Sequence, residues 1–189
     1  MRAFTDYNTT QEYTDFQRLP AGAYEVKILR AEDSDKALCL LFDIADGEFA
    51  DYFKQKLAAD RRSTAIQNLK YKGVYRLWYP DGGQYDDNKK RRMKTALKLI
   101  SEQNNLHIDF TREWDGAALR DAHIGMIFQD RQWDYNGKTG FTAQPYALIS
   151  LDKLRAGEFE IPDPKYLAST PQTDYNNLAD MPTDDDLPF

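Results

Sequence analysis

Alternation of apolar and polar positions is the first regularity along the chain. Tyr24, Val26 and Ile28 alternate with charged neighbours from Ala23 to Arg30, the pattern of a strand with one buried face. Glu32 to Lys36 makes a polar turn. Ala37 to Ala45 follows as a second strand, apolar nearly throughout and therefore central. Asp46-Gly47 signals a turn, after which Glu48 to Lys54 is expected to continue as a third strand and complete a meander. Residues 57–70 have helical composition with a weak apolar stripe, 71–80 reads as extended up to Pro80, and 81–88 is a turn-rich loop. Lys89 to Gln103 is the clearest helix. Met93, Leu97 and Ile100 fall at i, i+4 and i+7, flanked by Ala96 and Leu99, with bases on the opposite face. No period stands out over 108–120. Segments 123–133 and 141–151 alternate again and frame a loop, 134–140, built on an Asn136-Gly137 turn.

Three strands, a helix and a final hairpin predict a mainly-β fold, a five-stranded Greek-key barrel with one or two helices. The expected organisation is an irregular arm over 1–19, the barrel over 20–167, and a disordered acidic tail over 168–189. That last stretch is rich in Ser, Thr, Asn, Asp and Pro, with too little apolar content to fold alone.

Aromatic content changes this picture. With 12 Tyr, 10 Phe and 3 Trp in 189 residues, some flat side chains must stand outside a core of this size. No apolar run approaches the roughly 18 residues that span a membrane, and the first residues lack the pattern of a secretory signal. The lone Cys39, among apolar neighbours, reads as a buried thiol. These features predict a cytoplasmic protein.

Charge is unevenly spread. The chain carries −6 overall, yet residues 54–98 hold 13 Lys/Arg against 4 Asp, while 169–189 holds five Asp and no base. A basic block with a separate acidic tail suggests a polyanion-binding segment and an interaction tail. A bland reading of 89–98 is a solvated helix face.

The last six residues, Asp184-Asp185-Asp186-Leu187-Pro188-Phe189, resemble the acidic tip of bacterial single-stranded DNA-binding proteins, with Leu187 in place of the more usual isoleucine. In that family the tip docks replication, recombination and repair proteins, and the resemblance implies the same role here. Physically, Phe189 would enter an apolar pocket, its carboxylate would pair with a base there, and the Asp run would meet a basic rim. The acidic tail could also compete with DNA for the protein's own basic groove.

The body is similar to single-stranded DNA-binding proteins of phages and integrative elements. Leu19-Pro20-Ala21-Gly22-Ala23-Tyr24 and Phe42 to Phe49 carry the likeness, with Tyr71 to Leu77, Trp114-Asp115 and Ile124 to Phe128 as later landmarks. The chain departs from that group at Tyr71, where tryptophan is frequent, and over Ser101 to Asn105. In a nucleic-acid setting a five-stranded Greek-key barrel is most often an OB-fold, whose loops after strands 1 and 4 grip the strand. Here those are the loops at 32–36 and 134–140. The resemblance also implies a multimer and a setting at the bacterial nucleoid.

Single strands are held by cations on phosphates and by flat side chains on bases. The segment 52–79 interleaves both, placing Tyr52, Phe53, Tyr71, Tyr75, Trp78 and Tyr79 among Lys54, Lys56, Arg61, Arg62, Lys70, Lys72 and Arg76. If 71–79 is extended, Lys72, Arg76 and Trp78 share one face and Tyr71, Tyr75 and Tyr79 the other. One face packs on the core, and the sequence leaves open which. Beside the hairpin loop, Trp133 and Tyr135 are candidates for stacking, with Arg131 and Lys138 for phosphates. Lys89, Lys90, Arg91 and Arg92 crowd a helix start, where cations oppose the macrodipole. Asp86 and Asp87 offset part of that penalty. Such a cluster suits phosphates or the acidic tail.

For catalysis, His107 and His123 have no metal-ligand spacing with Cys39, and His123 reads as structural. Gly82-Gly83 lacks the lysine of a phosphate loop and reads as a turn. The expectation is a non-enzymatic protein without cofactor that coats and protects single-stranded DNA in replication and recombination and recruits partners through its tip. The rival readings are a strand-annealing or recombination mediator, an adaptor whose acidic tail mimics DNA, and a metal-dependent nuclease.

Overall fold

The computed structural model describes residues 16–63 and 68–167; the acidic tip expected to bind partners lies outside them. Five strands, β1 (Gly22–Asp33), β2 (Ala37–Ile44), β3 (Val74–Trp78), β4 (His123–Tyr135) and β5 (Lys138–Ile149), accompany three helices. The helices are α1 (Tyr52–Ser63), α2 (Asp86–Gln103) and α3 (Leu151–Ala156), with a short 3₁₀ turn at Gly116–Leu119. All strand pairs are antiparallel, in the order β3-β2-β1-β4-β5.

β1 organises the sheet because it pairs with β4 along Gly22–Lys27 and with β2 along Val26–Asp33. Val26 and Ile28 are buried as their alternation requires. At Leu29 the register slips, so that Ile28 faces Phe42 while Arg30 faces Leu41. This bulge reverses the alternation and adds twist, turning Ala31 to the core side and Arg30 outward. The core gathers Leu38, Leu40, Phe42 and Ile44 of β2 with Ile124, Met126 and Phe128 of β4. At its centre the rings of Phe42, Phe53 and Phe128 lie 5.4–6.3 Å apart. Ala96, Leu97 and Ile100 close it from α2, with Met93 and Leu99 partly buried beside them, as the helical stripe predicts.

The expected third strand over 48–54 is not formed. Residues 48–51 turn, and a helix starts at Tyr52. Its cap lies far back in sequence: the carboxylate of Asp43, 1% exposed, accepts the amides of Phe53 and Lys54 at 2.9 and 3.0 Å. The Tyr71 hydroxyl stands 2.8 Å from both Asp43 Oδ2 and the Phe42 carbonyl, and burial, aided by the Asp43 charge, holds the phenol well above its ordinary pKa. The third strand is instead Val74–Trp78.

Two further expectations change. Residues 134, 135 and 138–140 are paired, so the loop shrinks to Asn136-Gly137, both at positive φ (51° and 72°), the type I′ geometry that suits the hairpin twist. Cys39 is half-buried rather than sequestered, because it sits on the outward side of β2. The sheet is open: among the described residues β3 and β5 are not paired and form opposite edges. α2 packs against both β3 and β4.

Both ends of the described domain are pinned. Phe16 packs on Tyr52 at 5.1 Å, Leu19 is buried, and Arg18 pairs with Asp130 at 3.0 Å. Beyond α3, residues 163–167 lie parallel to β4 where β1 has ended. Lys165 donates to the Asp130 carbonyl and accepts from the Gln132 amide, both at 2.8 Å. Gln129 Nε2 reaches the Asp163 carbonyl at 2.6 Å, the Leu167 amide reaches Gln132 Oε1 at 3.1 Å, and Tyr166 packs edge-on against Phe141.

Candidate nucleic-acid interface

The β4–β5 hairpin extends past the end of β1 as a two-stranded arm. Alternation along regular β4 puts Gln129, Arg131, Trp133 and Tyr135 on one side, and the register sets Gln144, Thr142, Gly140 and Lys138 opposite them. Arg131 Nη1 donates to Gln144 Oε1 at 3.4 Å. Trp133 is 41% and Tyr135 72% exposed. Two large aromatics exposed side by side on one face form a contiguous apolar patch, the kind of surface that marks an interaction site.

β3 settles the question left open by its sequence. Tyr75 and Leu77 turn inward, as do the flanking Tyr71 and Tyr79. The Tyr79 hydroxyl lies 2.8 Å from Asp33 Oδ1, and burial, then this hydrogen bond, pushes its pKa up to about 12. Lys72, Arg76 and Trp78 are exposed on the other side, Trp78 at 43%. These inward tyrosines, with buried Tyr52 and Phe53, belong to the core and leave Trp78 as the outward aromatic of that segment.

Register carries the faces across the sheet. Arg76 pairs with Cys39, Cys39 with Glu32, and the bulge at Leu29 puts Glu32 on the same side as Lys27 and Glu25. Glu25 pairs with Gly125, which shares its side of β4 with Arg131, Trp133 and Tyr135. Arg76 and Trp78 at one edge and Arg131, Trp133 and Tyr135 at the other therefore lie on the same side of the sheet, with α3 packed between them where Arg155 pairs with Glu25 at 3.7 Å. Arg30 joins them, in an ion pair with Glu32 at 2.5 Å. Sequence reading missed Arg30 because unbroken alternation would place it with the core.

The remaining cations fall into two groups. Lys90, Arg91, Arg92 and Lys94 stand exposed along the first turns of α2, while Lys89 pairs with Asp81 at 2.8 Å. Asp86 receives the amides of Asp81 and Gly82, which fixes the preceding loop. The Arg92 charge partly counters the burial that raises the pKa of Tyr75, so this end of α2 adjoins β3. On α1, Lys54 pairs with Asp51 at 2.7 Å, and Lys56 pairs with Asp60 and lies 5.5 Å from the Phe16 ring centre. Arg61 and Arg62 are exposed in its last turn, where cations favour the helix dipole. The α1 lysines thus serve local contacts, and Arg76, Arg131 and Lys138 are the bases that the strands set beside exposed aromatics.

His123 opens β4 with Nδ1 2.7 Å from Glu25 Oε1, and its main chain is clamped by both amide atoms of Asn104. This is a structural setting. No protein-family model matches the chain, and no curated protein is similar enough to count as a relative. Among the described residues no helix is long and apolar enough to cross a membrane.

Proposed function

We propose that the chain binds single-stranded DNA across the face that carries Arg76, Trp78, Arg131, Trp133, Tyr135 and Lys138, largely without sequence preference. The observation behind this reading is the placement of exposed aromatics and cations on one face by strand register. Aromatic faces stack on any base, and cations follow the phosphates. The basic start of α2, adjoining β3, extends the positive track around that edge. On this reading the open five-stranded sheet, ordered β3-β2-β1-β4-β5, serves as an OB-type surface, a fold that is partly open and binds oligonucleotides on its strand 2–3 face and its 1–2 and 4–5 loops. Coating and protecting exposed strands in replication or recombination is the role that follows, with the Asp184–Phe189 tip recruiting partner proteins.

The test is a titration of fluorescent dT oligomer at several salt concentrations, read by anisotropy and tryptophan quenching, with duplex DNA as the control. The expected result is preference for dT, quenched tryptophan, and affinity falling with salt. Equal affinity for duplex and dT would overturn the proposal and favour an adaptor that binds protein.

A further inference from the structure

Gly140 and Trp133 face each other across the hairpin arm. A Cβ built on Gly140 would lie 2.7 Å from Trp133 Cζ2, 2.9 Å from Cε2 and 3.2 Å from Nε1. The indole is therefore laid against the glycine main chain, in space that every other residue type would fill. Backbone conformation does not demand a glycine here, because its φ is outside the left-handed region. Glycine also weakens a strand interior, and between Thr139 and Phe141 a β-branched residue would suit the pleat better.

We infer that Gly140 is a positioning residue for the single-strand site, holding Trp133 down on the arm so that its free ring face meets a base. The inference rests on the DNA-binding reading above. With one side laid on Gly140, the indole keeps its other side open to solvent, and Trp133 is 41% exposed. It is flanked on the same side by Arg131 and Tyr135, with Lys138 and Thr142 beside Gly140. A ring fixed before the strand arrives loses less conformational freedom on binding than one swinging about its side-chain bonds.

The experiment compares the full chain with Gly140→Ala, Gly140→Val, Trp133→Ala and the double variant Gly140→Val/Trp133→Ala. Each is titrated with a dT oligomer and with an abasic oligomer of equal length, which keeps the phosphates and removes the bases. Folding is checked by circular dichroism and thermal melting, and Gly140→Ala, one methyl larger, supplies the comparison if the valine variant is unfolded. The expected result is a fall of roughly tenfold in the dT-to-abasic affinity ratio for Gly140→Val and Trp133→Ala alike. The double variant should lose no more than either single. A wild-type ratio in both glycine variants, or additive losses in the double variant, would overturn the inference while leaving DNA binding intact. A wild-type chain that binds dT no better than the abasic strand would remove the DNA reading and this inference with it.

Discussion

Replacing Asp43 by alanine tests how this domain is held together. Asp43 is 1% exposed and receives the amides of Phe53 and Lys54, with the Tyr71 hydroxyl 2.8 Å from its second oxygen. Alanine removes the acceptor for four donors at once, the Ile44 amide at 3.0 Å being the fourth. A buried donor left without a partner costs about 1–3 kcal/mol. The Lys54 bond is only part-buried, and water can reach its amide, which puts that loss at the low end. The Tyr71 hydroxyl retains the Phe42 carbonyl at 2.8 Å, so its loss is also partial. The expected total is about 4–6 kcal/mol, a large share of the roughly 5–15 kcal/mol typical of a domain. Asn at the same position keeps one acceptor oxygen and should lose about half as much. Urea unfolding followed by circular dichroism measures this, with an unchanged slope expected if only stability changes. Asp43→Ala and Tyr71→Phe should be non-additive, since each removes part of one network. A loss below about 1 kcal/mol for Asp43→Ala, or strict additivity with Tyr71→Phe, would refute the capping argument.

The other predictions concern binding and pH. Trp78→Ala, Trp133→Ala and Tyr135→Ala should each weaken dT binding by about 1–3 kcal/mol if the ring stacks on a base, whereas Tyr75→Phe should leave it unchanged; anisotropy titration measures both. Replacing Lys90, Arg91, Arg92 and Lys94 together by alanine should flatten the plot of log affinity against log salt by about 0.7 for each cation that contacts phosphate, and an unchanged slope would take α2 off the strand's path. The raised pKa of Tyr79, about 12 against an ordinary 10.0, means that the folded state keeps a proton which the unfolded chain releases. Its contribution to stability is full below pH 10 and is lost as pH rises through 12. Melting temperatures of the wild type and Tyr79→Phe, measured from pH 8 to 12, should converge as pH rises.

Legibility in the sequence followed the range of the interactions. β1, β2, β4, β5 and α2 came from periods that need only a few neighbouring residues, and Asn136-Gly137 announced its turn. The start of α1 did not, because its cap is Asp43, ten residues before Phe53. A helical signal was nonetheless present in Phe49, Tyr52 and Phe53, spaced i, i+3 and i+4. Arg30 was hidden by a bulge, which no single strand's pattern reveals. The two faces of 71–79 were separated correctly by alternation. Which of them was buried depended on Asp33 and Asp43, partners that the tyrosine hydroxyls reach only in the folded chain. Candidate cations were recognised by type, but their local acidic partners, Asp51 for Lys54 and Asp81 for Lys89, depended on side-chain geometry.

The short parallel segment at 163–167 also determines how the domain would respond to a pull on the chain beyond Leu167. Its contacts, from Gln129 Nε2 to Asp163, between Lys165 and both Asp130 and Gln132, and from Leu167 to Gln132, are strung along β4. Tension directed along β4 loads them together, as in a lap joint, instead of peeling them one by one. The segment is thus a strain relief: force entering from the C-terminal side is carried by β4 before it reaches Gly157 and α3.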